Sequence, residues 1–267
     1  MSDFPNWSLI VAVNNESVLN GTLLASPAID DQCQVILKRG YSCAGGAYNS
    51  GIADANHDLM VFAHQDIYLP RGWKADLGCA LAQLEAQDPN WGAVGLVGMA
   101  VEPSHAIAGY CYSTGLQRIV GKPFDKPVEV ISLDEIVLVI RRSSGLCFDD
   151  ALPGFHLYGT DLCLEARKRD LRSYAVQAFC IHNTNGIKQF PMDFWRAYLY
   201  LRRKWWDYLP VQTCCIKIER GCGQAIHQVA GDLAHRVLQP RKVGSRWEDI
   251  SRLCQHVDRE QTELRQG

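Results

Sequence analysis

The run Leu59-Met60-Val61-Phe62-Ala63 is wholly apolar and breaks off abruptly in His64-Gln65-Asp66. Five apolar residues bounded by polar ones predict a strand buried on both faces, the condition of a strand inside a helix-covered parallel sheet. Open α/β sheets place their ligands beyond the carboxyl ends of such strands. There, His-x-Asp offers two ligands separated by one non-ligand. Hard divalent cations that carry phosphates seek carboxylate oxygen, and manganese also accepts imidazole. A second reading is equally open on the tripeptide alone: Asp66 caps the following element, and His64 is merely polar at a strand end.

The rest of the chain repeats the pattern. Ser8–Val13 predicts a first buried strand that ends in Asn14-Asn15-Glu16, and Gln34–Leu37 a second. Cys43–Ala55 has helical spacing with small residues suited to close packing. Pro70–Gln87 predicts a helix with Trp73, Leu77, Leu81 and Leu84 on its core face and a proline near its start. Trp91–Val101 is strand-like, Val128–Arg141 contains a buried strand over Glu135–Ile140, Asp161–Arg169 is helical, and Ser173–Ile181 is a strand ending in His182-Asn183. This βα alternation predicts an α/β fold with a mainly parallel sheet between helices. From Pro191 the pattern turns helical and aromatic, and the stretch from about Arg246 predicts an amphipathic terminal helix. The expected division is a main domain over 1–190 and a helical C-terminal extension over 191–267, packed on it.

Composition removes several classes. Apolar residues are 47% and charged residues 21% of 267, the profile of a water-soluble globular chain. No run approaches the length of a membrane span, and the first residues show no signal-peptide pattern. Eleven cysteines without a Cys-x-x-Cys pair predict reduced thiols rather than a zinc knuckle or a disulfide framework, and hence a cytoplasmic protein. Residues 195–267 carry about +5 and residues 1–194 about −7. That asymmetry is too mild for nucleic acid; it fits a solvated helical face, an anionic-ligand cleft or a weak membrane contact. No Gly-x-Gly-x-x-Gly follows the first strand and no Gly-Lys-Ser/Thr follows Gly45-Gly46, which excludes a P-loop and counts against an NAD-type fold.

Three polar clusters stand at predicted strand ends: Asn14-Asn15-Glu16, His64-Gln65-Asp66 and His182-Asn183. In a doubly wound sheet such ends converge. A fourth, Gly154-Phe155-His156-Leu157-Tyr158-Gly159-Thr160-Asp161, opens a helix. An isolated Asp161 there would be a first-turn carboxylate stabilising the helix by about 0.5–1 kcal/mol.

The order of these clusters resembles a family 2 glycosyltransferase of the GT-A fold, and more narrowly the StrF-type glycosyltransferase-like domain. The resemblance is carried by Val61–Asp66, Gly154–Leu162 and Phe179–Asn183, and covers roughly residues 6–190. It implies metal-assisted, inverting transfer of a sugar from a nucleoside-diphosphate sugar to a hydroxyl of a glycan or small-molecule acceptor. His64-Gln65-Asp66 takes the place of the family's Asp-x-Asp motif. Asp66, His64 and His182 are then the ligands of a divalent cation, Mn²⁺ or Mg²⁺, and Gln65 contacts the donor sugar or ribose. Asp161 aligns with the catalytic base, with Thr160 where the family has an acid. Asn14 and Glu16 align with the nucleotide cradle, Arg39 faces phosphate where relatives have a base-reading aspartate, and Asn49 faces the diphosphate. His156 joins these substrate contacts. The departures at His64 and Thr160 keep open a non-catalytic nucleotide-sugar or glycan-binding module of the same fold. A different α/β metalloenzyme, such as a phosphoesterase, would need more acidic ligands.

Overall fold

The computed structural model describes residues 4–101, 106–186, 189–237 and 244–266, and the side chains of all of these except 232–237 and 263–266. The chain begins with β1 (Trp7–Val13), one helical turn α1 (Glu16–Val18) and a π-helical turn at Leu19–Leu23. β2 (Cys33–Arg39), α2 (Ala44–Asp54), β3 (Leu59–Ala63), β4 (Ile67–Tyr68) and α3 (Trp73–Gln87) follow. Next come β5 (Trp91–Gly95), β6 (Val97–Ala100), β7 (Ile107–Ser113), β8 (Arg118–Gly121), β9 (Val128–Leu133) and β10 (Val137–Arg141). The remainder is α4 (Tyr158–Lys168), β11 (Arg172–Ala175), β12 (Cys180–His182), α5 (Met192–Lys204), β13 (Val211–Gln212), β14 (Lys217–Ile218), α6 (Gly223–Val237) and α7 (Ile250–Gln266).

One large sheet runs β2-β1-β3-β10-β5-β11-β9-β6-β7-β12-β4, with β8 on β7. β2-β1-β3 are parallel, as are β5–β11 and β7–β12, and the other pairings are antiparallel. The α/β class is as expected, and the parallel β2-β1-β3 unit is where the predicted strand ends converge. Side chains alternate across the sheet. Ile10, Met60, Phe62, Leu138 and Ile140 meet Tyr48 of α2, Leu162 of α4 and Tyr198 of α5 on one face. Leu9, Val11, Val61 and Val139 meet Trp73, Leu77 and Leu84 of α3 on the other.

Two details stand out. The strand expected at Glu135–Ile140 is β10 (Val137–Arg141), and the stretch before it forms a separate strand, β9, elsewhere in the sheet. The stretch after Pro191 is not helical throughout, since β13 and β14 form an antiparallel hairpin. That stretch does share the main core. Phe194, Ala197, Leu201 and Trp205 belong to the same buried cluster as Leu162 and Ile140. α7 docks separately, placing Leu253 and Val257 on Tyr112 of β7 and Ile181 of β12.

Candidate functional site

His64 leaves β3 in a tight turn: its N–H donates to the Ile136 carbonyl (3.1 Å), and its carbonyl accepts from Ile67 N–H (3.1 Å). The chain then enters β4, which pairs antiparallel with β12, and this register sets His182 against Ile67. Asp66 is thereby held beside His182, with Nε2 and Oδ1 3.5 Å apart. One ligating atom each from His64, Asp66 and His182 lie within 4.8 Å of one another. One carboxylate and two imidazoles suit a manganese-type cation better than magnesium, which prefers an all-oxygen shell. Burial alone would raise the Asp66 carboxyl. The His182 hydrogen bond and the Arg246 guanidinium act against it, and Asp66 lies well below the usual carboxylate range. Burial lowers His64, which favours the neutral imidazole a metal requires. The Tyr158 hydroxyl lies 2.9 Å from His64 Nε2 and donates to the Glu135 carbonyl (3.3 Å). Tyr158 thereby fixes the orientation of the His64 ring, the way an outer partner orients a ligating histidine.

A cavity of about 270 Å³ opens beside the trio at the carboxyl ends of β1, β2 and β3, with Asn14, Lys38, His64, Gln65 and Asp66 in its wall and Tyr41 and Phe155 across it. This is the ligand position of an open α/β sheet. The loop carrying Phe155 is sharply bent. Gly154 sits at φ 72°, and Leu157 holds φ 63°, a conformation that costs a branched residue free energy and persists where its surroundings enforce it. The bend turns the Gly159 N–H toward Glu135 Oε1 (3.3 Å).

The other expected site residues fall in different places. Asn14 lines the cavity. Gln65 also lines it, but its amide is already engaged. Oε1 accepts from the N–H groups of Asn14 (3.1 Å) and Asn15 (3.0 Å), and Nε2 donates to Asn14 Oδ1. Gln65 fastens the β1 loop to the β3 loop, so its amide is not free for a sugar. Glu16 and Arg39, expected to touch nucleotide and phosphate, form an exposed forked ion pair with each other (2.5 and 3.1 Å) outside the cavity wall. Asn49 is a packing residue. Its Nδ2 donates to the Phe148 carbonyl and Asp150 Oδ1 (both 2.7 Å), and its Oδ1 accepts from Phe148 N–H (2.9 Å). His156 is partly buried, edge-on to Phe194 at 5.7 Å, and burial lowers its pKa.

Asp161 departs furthest from expectation. It is 1% exposed, and its oxygens accept from Lys204 Nζ (2.8 and 3.0 Å) and Trp205 Nε1 (2.6 Å). Lys204 also reaches Asp149 (2.7 Å) and Glu165 (3.0 Å). Burial raises Asp161 despite these partners. The carboxylate that the resemblance makes the base is thus bound into the junction between α4 and α5, away from the cavity wall.

Three contributors were not singled out from the sequence. Tyr158 orients His64, although it lies within the Gly154–Asp161 cluster. Glu135 hides in an apolar strand signal; burial, then the neighbouring Asp134, push its carboxyl up to about 8. Arg246 comes from the tail: its Nη2 lies 3.2 Å from Asp66 Oδ2, and its Nε donates to the Asn183 carbonyl (2.8 Å).

No family model matches the chain. A protein of Fuscovulum blasticum described as ATP synthase subunits region ORF 6 is 28% identical over 179 residues, which is 66% of either chain. Solved structures that the chain resembles include the mannosyltransferase PcManGT of Pyrobaculum calidifontis in complex with GDP-Man and Mn²⁺, with 14% identity, 67% of this chain, 57% of that one and a TM-score of 0.44. GalNAc-T7 with UDP, GalNAc and Mn²⁺ gives 12% identity, 91% and 60% coverage and a TM-score of 0.46. TarS residues 1–349 of S. aureus in complex with UDP give 14%, 72%, 63% and 0.45. The chain thus spans less than two thirds of the length of each of these structures. With TM-scores below 0.5, no residue role is carried over from them.

Proposed function

We propose that the chain is a metal-assisted glycosyltransferase that takes a nucleoside-diphosphate sugar as donor and transfers its sugar, with inversion, to an acceptor hydroxyl. The observation that carries this reading is the convergence of His64, Asp66 and His182, the first two of which line the cavity beyond β1, β2 and β3. These three side chains would hold the cation, which when bound would offset charge on the departing diphosphate. Gln65 keeps the Asn14-Asn15 loop against that rim. Tyr41 and Phe155 offer apolar faces for a base or a sugar ring, and Tyr158 fixes the His64 ring. Inversion requires a base beside the acceptor hydroxyl. Asp161 fills that role only if Lys204 and Trp205 release it.

The engagement of Asp161 favours one second reading: a module that binds a nucleotide sugar without turning it over. Thermal denaturation with UDP- and GDP-sugars, UDP and GDP, with and without Mn²⁺, tests the shared part. A ligand at a hundredfold excess over Kd stabilises by about 2.7 kcal/mol. A shift that needs both metal and one nucleotide supports a donor site, and no shift with any of them removes it. Consumption of the donor that shifts, with acceptor supplied, then separates transferase from binding module. Asp66→Ala is expected to abolish the metal-dependent shift.

A further inference from the structure

The segment after Gly244 lies over the carboxyl end of β12. The Gly244 N–H donates to the Gly115 carbonyl (2.9 Å), and a side chain at Gly244 would run into the Thr114 carbonyl, 1.7 Å from its Cβ. Trp247 and Asn183 then bind each other twice: Trp247 N–H donates to Asn183 Oδ1, and Asn183 Nδ2 donates to the Trp247 carbonyl, both at 2.8 Å. Asn183 is fully buried. The Trp247 ring stacks on His256 of α7 at 5.3 Å. Arg246 stands between these anchors, its backbone N–H on Asn185 Oδ1 (3.0 Å) and its guanidinium bridging the Asn183 carbonyl and Asp66. A cation is thus held by backbone geometry against the only carboxylate in the proposed metal trio.

The charges around the cavity give that cation a purpose. Lys38 is in its wall but is tied to Asp54 and Ser50, and Arg39 is paired with Glu16. A divalent cation held by a single carboxylate leaves about one net positive charge, less than a nucleoside diphosphate carries in negative charge. A forked guanidinium is suited to phosphate oxygens.

We propose that Arg246 is a diphosphate-binding residue delivered by the C-terminal segment, and that it occupies Asp66 as a stand-in cation until a divalent ion takes its place. The proposal rests on the metal–diphosphate reading of the cavity. When Asp66 turns to the metal, the guanidinium keeps its Asn183 anchor and is free to face the phosphates. Its effects on the two ligands are therefore opposite in sign. It competes with the metal for Asp66 and attracts the diphosphate.

The test is Arg246→Ala in the full chain, with Mn²⁺ binding followed by the electron paramagnetic resonance of free Mn²⁺ in the absence of nucleotide. UDP, GDP and UMP binding is followed by calorimetry at saturating Mn²⁺. The expected result is severalfold tighter Mn²⁺ binding and about tenfold weaker UDP and GDP binding, with UMP, which lacks the second phosphate, changed far less. Unchanged UDP and GDP affinity, or weaker Mn²⁺ binding, overturns the proposal while leaving the cavity reading in place. A wild-type chain that binds neither Mn²⁺ nor any nucleotide overturns both. If R246A does not fold, Arg246→Lys keeps the charge without the fork. It is expected to shift both affinities in the same directions by smaller factors, and wild-type affinities in R246K overturn the proposal.

Discussion

Two carboxylates, Glu135 partly buried and Asp161 fully so, have consequences that can be measured at single residues. Glu135 is raised from 4.5 to about 8, so between those values the folded chain keeps a proton that the unfolded chain has lost. Stability must therefore fall as pH rises through this window, because the native state is the more protonated one. Glu135→Gln is expected to flatten the drop in melting temperature between pH 5 and pH 8. An unaltered pH profile would mean that Glu135 ionises normally. Asp161→Asn leaves Lys204 with Asp149 and Glu165 but removes its best-buried partner. Urea denaturation should show a loss of about 1–3 kcal/mol, less than for a buried pair with no other partner. Donor affinity should be unchanged. A variant with wild-type stability and no transfer would return Asp161 to the role of base. His64, Asp66 and His182 come together in the fold for one reason legible in the sequence: each stands at or just beyond a strand end, and strand ends in this sheet meet. The partners that Arg39 and Asn49 take, Glu16 for the first and the Phe148 backbone with the Asp150 carboxylate for the second, are contacts that a linear motif does not encode.

At the scale of elements, close approach decides which changes are tolerated. α2 lies against β1 through Gly51, where an added Cβ would stand 2.2 Å from Ile10 Cγ2. Gly51→Ala is expected to destabilise by about 1–3 kcal/mol through overpacking, despite the better helix propensity of alanine, as read by chemical denaturation. The small residues of Cys43–Ala55 were legible as packing residues. β7 and β8 were not. Ile107–Ser113 mixes glycine, cysteine and serine with aromatics, and its outer pairings supply what its own sequence does not signal. β9 was not legible either, because Val128–Leu133 mixes polar residues into its apolar ones and runs into the stronger apolar signal of β10.

For the whole molecule, the extension is attached in two unequal ways. Trp205, 3% exposed, belongs to the main core and caps Asp161, so Trp205→Ala should cost about 3–5 kcal/mol. α7 touches the body through a small cluster around Leu253 and Val257. Removing residues 250–267 should lower the melting temperature by less than Trp205→Ala does; a larger loss would mean that α7 is part of the core. No described helix is long and apolar enough to cross a membrane. The charge asymmetry of the sequence acquires a local meaning here, since one of the tail's arginines reaches Asp66.

Asp66 and Arg246 are 180 residues apart in the chain. At ribosomal rates of about 5–20 residues per second, the arginine is made roughly 10–40 s after the aspartate. Until residue 246 is made, a growing chain has no Arg246 guanidinium to set against Asp66, so competition between that arginine and a divalent cation belongs only to chains that extend past it.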